Sequence, residues 1–173
     1  DRVKIKDILN AKTMEAVFRL LHGCSFLGSF LAYQYTIDMN YSPYINFSEN
    51  DFVKAGIGAI RGIKKCFLCY GNKCEDAIWY VKEHFNDLLK RYGYTSFHPL
   101  PGHEPTLIDL QNCFCETDKY LRAKMPELRI GNVRIKQKYM PHTDPIQFFF
   151  PPKWNIVEMY KYKPIVVPTL FDL

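Results

Sequence analysis

The sequence predicts a mainly α-helical fold that ends in an irregular or weakly β section. Three observations carry this. Apolar residues recur at helical spacing in several separate segments. Three stretches of the form Ser/Thr/Asn-x-x-acid stand where such segments begin. After Pro126 the pattern gives way to short β-branched and aromatic runs punctuated by Pro. A length of 173 residues suits one domain, or one domain with an appendage. The expected division is a helical domain over residues 1–128 and an extended arm over 129–173 packed on it.

The elements follow in order. "KTMEAVFRLLH", residues 12–22, puts Met14, Val17, Phe18 and Leu21 on one stripe, and Gly23 can end the helix. "SFLGSFLAYQYTIDMNY" is a second, buried-looking helix in which Leu27, Phe30, Leu31, Gln34 and Asp38 share one side. Its end, with an amide and a carboxylate four residues apart, is either a capped, partly exposed terminus or a ligand-facing one. "SEND" at 48–51 resembles a capping box, with Ser48 as N-cap and Asp51 three residues on, for a short helix running into "AGIGAIRGIKKCF". "NKCE" at 72–75 opens a long helix with the apolar set Ile78, Val81, Phe85, Leu88, Leu89 and Tyr92, and Gly93 is its natural stop. "HPLPGHEP" is a loop, and Thr106 with Asp109 forms the box that opens "TLIDLQNCFCETDKYLR". Beyond it, "LRIGNVRIKQKYM" leans to β, and "FFFPPKWN" and "YKPIVVPTLFDL" read as an extended arm.

Composition narrows the function. With 47% hydrophobic and 24% charged residues the chain can build a core, which excludes a disordered class. Twelve Tyr and thirteen Phe are enough for stacking surfaces as well as core. A net charge of +5 and a pI near 8.8 permit a phosphate-bearing partner without demanding one. No apolar run approaches the roughly 20 residues of a membrane helix, and no apolar stretch follows the charges of "DRVKIKDILN", so no membrane partner is expected. The six Cys read as reduced thiols of an intracellular protein. Cys66, Cys69 and Cys74, with Cys113 and Cys115 further on, match no common zinc spacing, so neither metal nor cofactor is expected.

Two segments carry candidate chemistry. In "AGIGAIRGIKKC", Gly56 and Gly58 have the form of a helix–hairpin–helix turn, where Gly supplies positive φ and close backbone approach. The free N–H groups of the helix that follows, together with Arg61, Lys64 and Lys65, would bind a DNA phosphate; the bland alternative is a plain tight turn. No G-x-x-x-x-G-K-[ST] motif is present. In the helix from Thr106, Leu107, Leu110, Phe114 and Leu121 fall on one side at about 100° per residue. Asp109, Asn112, Glu116, Lys119 and Tyr120 fall on the other. A solvated face shows the same pattern. The functional alternative is a wall that reads an extruded base. There Asn112, with Gln34 if the helices meet, offers a pyrimidine edge its donor and acceptor, and Asp109 or Glu116 acts as general base or electrostatic stabiliser tuned by Lys119. The tyrosines would stack on the base.

In that order, "FLGSFLAYQYTIDMNYS", "FSENDFVKAGIGAIRGIKKCF" and "LIDLQNCFCETDKYLRAKMPEL" resemble the α-glutamyl/putrescinyl thymine pyrophosphorylase family. The helical domain of that family is similar to that of the 5-hydroxymethyl-deoxyuridine DNA kinases. The resemblance covers residues 12–128. Its most specific part is the D-x-Q-N-x-x-C-E-x-x-K-Y-x-R pattern from Asp109 to Arg122. It implies a helix–hairpin–helix fold related to DNA glycosylases, acting on 5-substituted thymine-type bases in DNA. By carry-over, Asp109, Glu116 and Lys119 become the catalytic candidates. Gln111, Asn112, Tyr120 and Arg122 become base-binding candidates, with Gln34 and Asp38 across the pocket. The implied partners are double-stranded DNA containing a modified pyrimidine and a small amine or amino-acid donor.

Three functions then compete. The first transfers an amine-bearing group onto pyrophosphate-activated 5-hydroxymethyluracil in DNA. The second is an N-glycosylase that excises a modified pyrimidine, with Asp109 or Glu116 stabilising an oxocarbenium-like transition state. The third is a non-catalytic DNA-binding module of a larger modifying protein.

Overall fold

The computed structural model describes residues 5–129 and 150–156. It is a helical assembly: α1 (Ile5–Leu9), α2 (Met14–His22), α3 (Ser29–Asn40), α4 (Ile57–Cys66), α5 (Cys74–Glu83), α6 (Phe85–Arg91) and α7 (Leu107–Lys124). Short 3-10 turns at Pro126–Leu128 and Pro152–Trp154 complete the described elements. The β-leaning stretch after Leu128 and the last part of the proposed arm lie outside the described residues.

α2 forms as its stripe dictates. Thr13 accepts the Ala16 N–H at 3.1 Å as N-cap, and Met14, Val17, Phe18 and Leu21 are all buried. These pack on α3, and α4 lies along α7 with α5 beside it. One core runs through all of them, from Met14 and Val17 through Tyr33, Ile37, Ile63 and Ile78 to Leu107 and Leu110. Each such aliphatic side chain contributes about 1.5–3 kcal/mol on leaving water.

α3 buries the side opposite the Phe30, Leu31, Gln34 and Asp38 set. Ala32, Tyr33, Thr36, Ile37 and Asn40 face the core, whereas Phe30 and Leu31 are exposed and Asp38 faces solvent. The polar members are affordable inside because each is satisfied. Thr36 Oγ1 donates to the Ala32 carbonyl at 2.8 Å. Asn40 donates to the Phe47 carbonyl at 3.1 Å and accepts the Phe47 N–H at 2.8 Å. Asn40 thereby fixes the loop that leaves the helix.

The helix expected from "SEND" does not form. Ser48 makes a local turn, its Oγ accepting the Asn50 N–H at 3.1 Å, and the chain from Phe52 to Gly56 is not helical. Two longer-range bonds account for this. Asn50 Oδ1 accepts the Leu107 N–H at 3.2 Å, and the buried Glu75 accepts both the Ala55 N–H at 3.1 Å and Lys54 Nζ at 2.8 Å. Gly56 and Gly58 therefore open α4 with no helix directly preceding them.

The single long helix expected from residue 72 is two. α5 starts one residue later than "NKCE" implied. Its N-cap is Lys73, and Asp76 accepts the Asn72 and Lys73 N–H groups at 2.9 and 3.1 Å. The chain kinks at His84 before α6. Gly93 is the expected stop: it has φ +79°, and the Tyr94 and Gly93 N–H groups close on the Leu89 and Lys90 carbonyls.

Candidate active site

The glycines of α4 serve close approach, not reversal. Gly56 is the N-cap at φ −75°, and Gly58 is within the helix, so neither uses positive φ. A methyl group at Gly58 would overlap Cys115 Sγ, and one at Gly62 would overlap the Phe114 carbonyl. At Gly56 it would crowd the Phe30 ring and Gln111 Oε1. The buried Gln111 accepts the Gly56 N–H at 3.4 Å and donates to Asn112 Oδ1 at 2.9 Å. It is thus used in the α4–α7 seam, not presented to a ligand.

The seam also takes a residue expected at the DNA. Lys65 Nζ lies 2.6 Å from Asp118 Oδ1, with side chains 3% and 1% exposed. Arg122 Nε lies 3.0 Å from the other oxygen of Asp118. Lys65 and Arg122 are therefore interior cations clamped on one carboxylate, and Lys65 is no surface contact. Asp118 is the residue that sequence reading missed here. Lys64 is exposed and Arg61 half-buried.

The polar stripe of α7 divides. Asn112, Glu116, Lys119 and Tyr120 are exposed. Glu116 and Lys119 pair with each other, which raises the lysine pKa, but this pair is more than half exposed and contributes little. That part of the helix is a solvated face. No hydrogen bond joins Gln34, which is half-buried, to Asn112 among the described residues.

Asp109 belongs to different surroundings. Its Oδ2 accepts the Thr106 N–H and hydroxyl, each at 2.8 Å, which completes the expected box, and sits 3.3 Å from His103 Nε2. The His103 ring lies flat on Trp154, with centroids 3.6 Å apart and planes at 22°. Trp154 Nε1 donates to Glu49 Oε2 at 2.8 Å, and its ring meets Tyr41 edge-on at 5.7 Å. Burial pushes the Tyr41 phenol well up, and the nearby charges of Glu49, Asp109 and Asp38 push it further. The phenol therefore stays a neutral donor among three carboxylates.

A cleft of about 710 Å³ opens at this cluster. Asp38, Tyr41 and Ser42 come from the end of α3, Leu100 from the loop before α7, and Phe150, Pro151, Pro152 and Trp154 from the distant strap at 150–156. Of the residues expected at a pocket, Asp38 lines the cleft and Asp109 stands behind it through His103. Tyr41, Glu49, His103 and Trp154 were missed. Their only sequence signal was a Trp fixed behind two prolines and a His six residues before a capping Asp. Among the described residues no group of three or more His, Cys, Asp or Glu is arranged to hold a metal ion, and all six Cys are free.

The fold is that of a mainly helical domain, and its cleft is largely apolar and aromatic, with Asp38, Tyr41 and Ser42 as its polar members. Residues 2–130 match the family described as "5-hmdU DNA kinase, helical domain", and the chain belongs to that family. It is accordingly related to a domain of enzymes that modify DNA at hydroxymethyluracil. No curated protein and no solved structure shows a significant match to the chain. No helix among the described residues is long and apolar enough to cross a membrane.

Proposed function

We propose that the chain is the helical module of an enzyme modifying a 5-substituted uracil in double-stranded DNA, and that the cleft holds the extruded base. The observation that carries this is the joining of stacking rings, Tyr41 and Trp154, to hydrogen-bonding groups at Asp38 and Ser42 in one cleft, within a family named for 5-hmdU. Arg61, Lys64 and the first-turn N–H groups of α4 that follow Gly56, whose own N–H is taken by Gln111, are the proposed phosphate contacts.

In its fuller form the reading is amine transfer, in keeping with the pyrophosphorylase resemblance. The amine nitrogen bonds to the 5-methylene carbon of activated 5-hydroxymethyluracil, and pyrophosphate leaves with the C–O electron pair. Asp38, the carboxylate that lines the cleft, takes the ammonium proton. Three carboxylates around Tyr41 favour a cationic donor. A second reading has support of its own: the module only holds the base, and chemistry belongs to another domain. The family description, the helical domain of a kinase, favours it, as does the lack of a phosphate-cradling G-x-x-x-x-G-K-[ST] motif in the 173 residues.

The test uses duplexes containing thymine, 5-hydroxymethyluracil or its pyrophosphate ester, incubated with a diamine and digested for mass spectrometry. Mass gain with pyrophosphate release is the expected result for transfer. Selective binding without product leaves the base-holding module. Abasic sites would replace both with glycosidic cleavage, and equal binding of all duplexes would overturn the base-holding cleft.

A further inference from the structure

The family match stops at residue 130, yet four of the residues lining the cleft come from the strap at 150–156. The matched domain supplies one wall and the strap supplies the other. The strap is tied down at several points. Lys153 Nζ donates to the Asn40 and Phe47 carbonyls at 3.1 and 3.3 Å, at the C-terminal end of α3, where a cation is favoured. Trp154 is held by Glu49 through its N–H and by His103 across its face. Asn155 closes the 3-10 turn in the left-handed conformation at φ +51°, which Asn tolerates. Pro151 and Pro152 stiffen the approach.

A cleft of about 710 Å³ lies in the size range of drug-sized ligands, so it has room for a pyrimidine and a sizeable 5-substituent. We infer that the strap is the specificity-determining wall: Trp154 provides the stacking surface for the extruded pyrimidine, and Phe150 and Pro151 bound the space for its 5-substituent. This rests on the base-holding reading above and adds which residues choose the base. Within the matched domain the cleft offers Tyr41, Asp38 and Ser42, which can hydrogen-bond a pyrimidine, but the aromatic face that would grip it is Trp154. The flat stack of Trp154 on His103 also sets the indole plane, so a base on that ring lies one layer from the His103–Asp109 pair.

The experiment measures anisotropy with labelled duplexes that differ at one position: thymine, 5-hydroxymethyluracil, or uracil bearing an aminoalkyl-aminomethyl group. The 173-residue chain is expected to prefer the modified duplexes. Trp154→Ala should lose about tenfold of that preference, the loss expected for one base–aromatic stack. Trp154→Phe should keep most of it. A second readout stands apart from the stability of the alanine variant. With Trp79 replaced by Phe, Trp154 is the only indole in the chain, and its fluorescence should be quenched by the modified duplexes and not by the thymine duplex. Full preference retained in Trp154→Ala, or no differential quenching alongside selective binding, overturns the strap's role and leaves the base-holding cleft standing. Equal binding of all three duplexes by the unaltered chain overturns the cleft reading itself.

Discussion

Asp118 accepts Lys65 at one oxygen and Arg122 at the other, and all three side chains are withdrawn from water. An arrangement of this kind is costly to break from one side, because the remaining charges stay buried. Asp118→Asn keeps the size and removes the charge that holds two cations together. It should lower unfolding stability by about 3–5 kcal/mol, read as a shifted urea midpoint at unchanged m-value. Lys65→Met should cost less, since Arg122 still neutralises Asp118. Glu75 gives a pH-dependent counterpart. Burial alone would raise its carboxyl, but the Lys54 ammonium and the Ala55 N–H outweigh it and hold the group below the ordinary value of 4.5. A carboxyl lowered by folding stabilises above its unfolded value, and that contribution is lost as pH falls through the folded one. Glu75→Gln should therefore flatten the loss of stability on acidification below about pH 4.5, followed by urea unfolding across that range. Neither role was legible in the sequence. Lys65 stands next to the exposed Lys64, and only the packing of a helix 53 positions away turns it inward.

At the scale of elements, helix existence was legible and helix facing was not always. α2 carries one clear apolar stripe, and the capping boxes marked the starts of α5 and α7 to within a residue. α3 is nearly uniform around its circumference, so periodicity could not choose between Phe30–Leu31 and Tyr33–Ile37; the hydrogen bonds of Thr36 and Asn40 chose. The glycines of α4 were visible but their purpose was misread, because a tight turn and a close helix contact both call for a missing side chain. The two purposes predict opposite effects of alanine. In an exposed helix Gly→Ala gains about 1 kcal/mol of helix propensity. Here a Gly62 methyl meets the Phe114 backbone, which cannot yield, whereas a Gly58 methyl meets the end of the Cys115 side chain. Gly62→Ala should lose about 2 kcal/mol or more despite the propensity gain. Gly58→Ala should lose less and recover in combination with Cys115→Ala, as thermal melting of the three variants would show.

For the whole molecule, the cleft shows why the site was harder to read than the helices. Its residues come from positions near 38, 100 and 150, and no local period links them. The stripe chosen from α7 lay on one helix and proved mostly solvated. Only Asp109, turned toward His103 by its capping role, stands behind the cleft. Charge can be sorted in the same way. The chain carries +5, but Lys65 and Arg122 are consumed by Asp118, Lys54 by Glu75 and Lys119 by Glu116, so a count of Lys and Arg overstates what DNA would meet. If α4 touches the backbone through Arg61 and Lys64, each contact releases counterions and steepens the salt dependence of binding. The slope of log K against log salt changes by about 0.9 for each phosphate contact. Arg61→Ala and Lys64→Ala should each reduce that slope by about 1 and weaken binding to modified and unmodified duplexes alike. Lys65→Met, measured where it remains folded, should leave the slope unchanged, because that ammonium already faces Asp118. A slope that falls equally for Lys64 and Lys65, or for neither Arg61 nor Lys64, would remove α4 from the DNA interface and leave the cleft to be approached from another face.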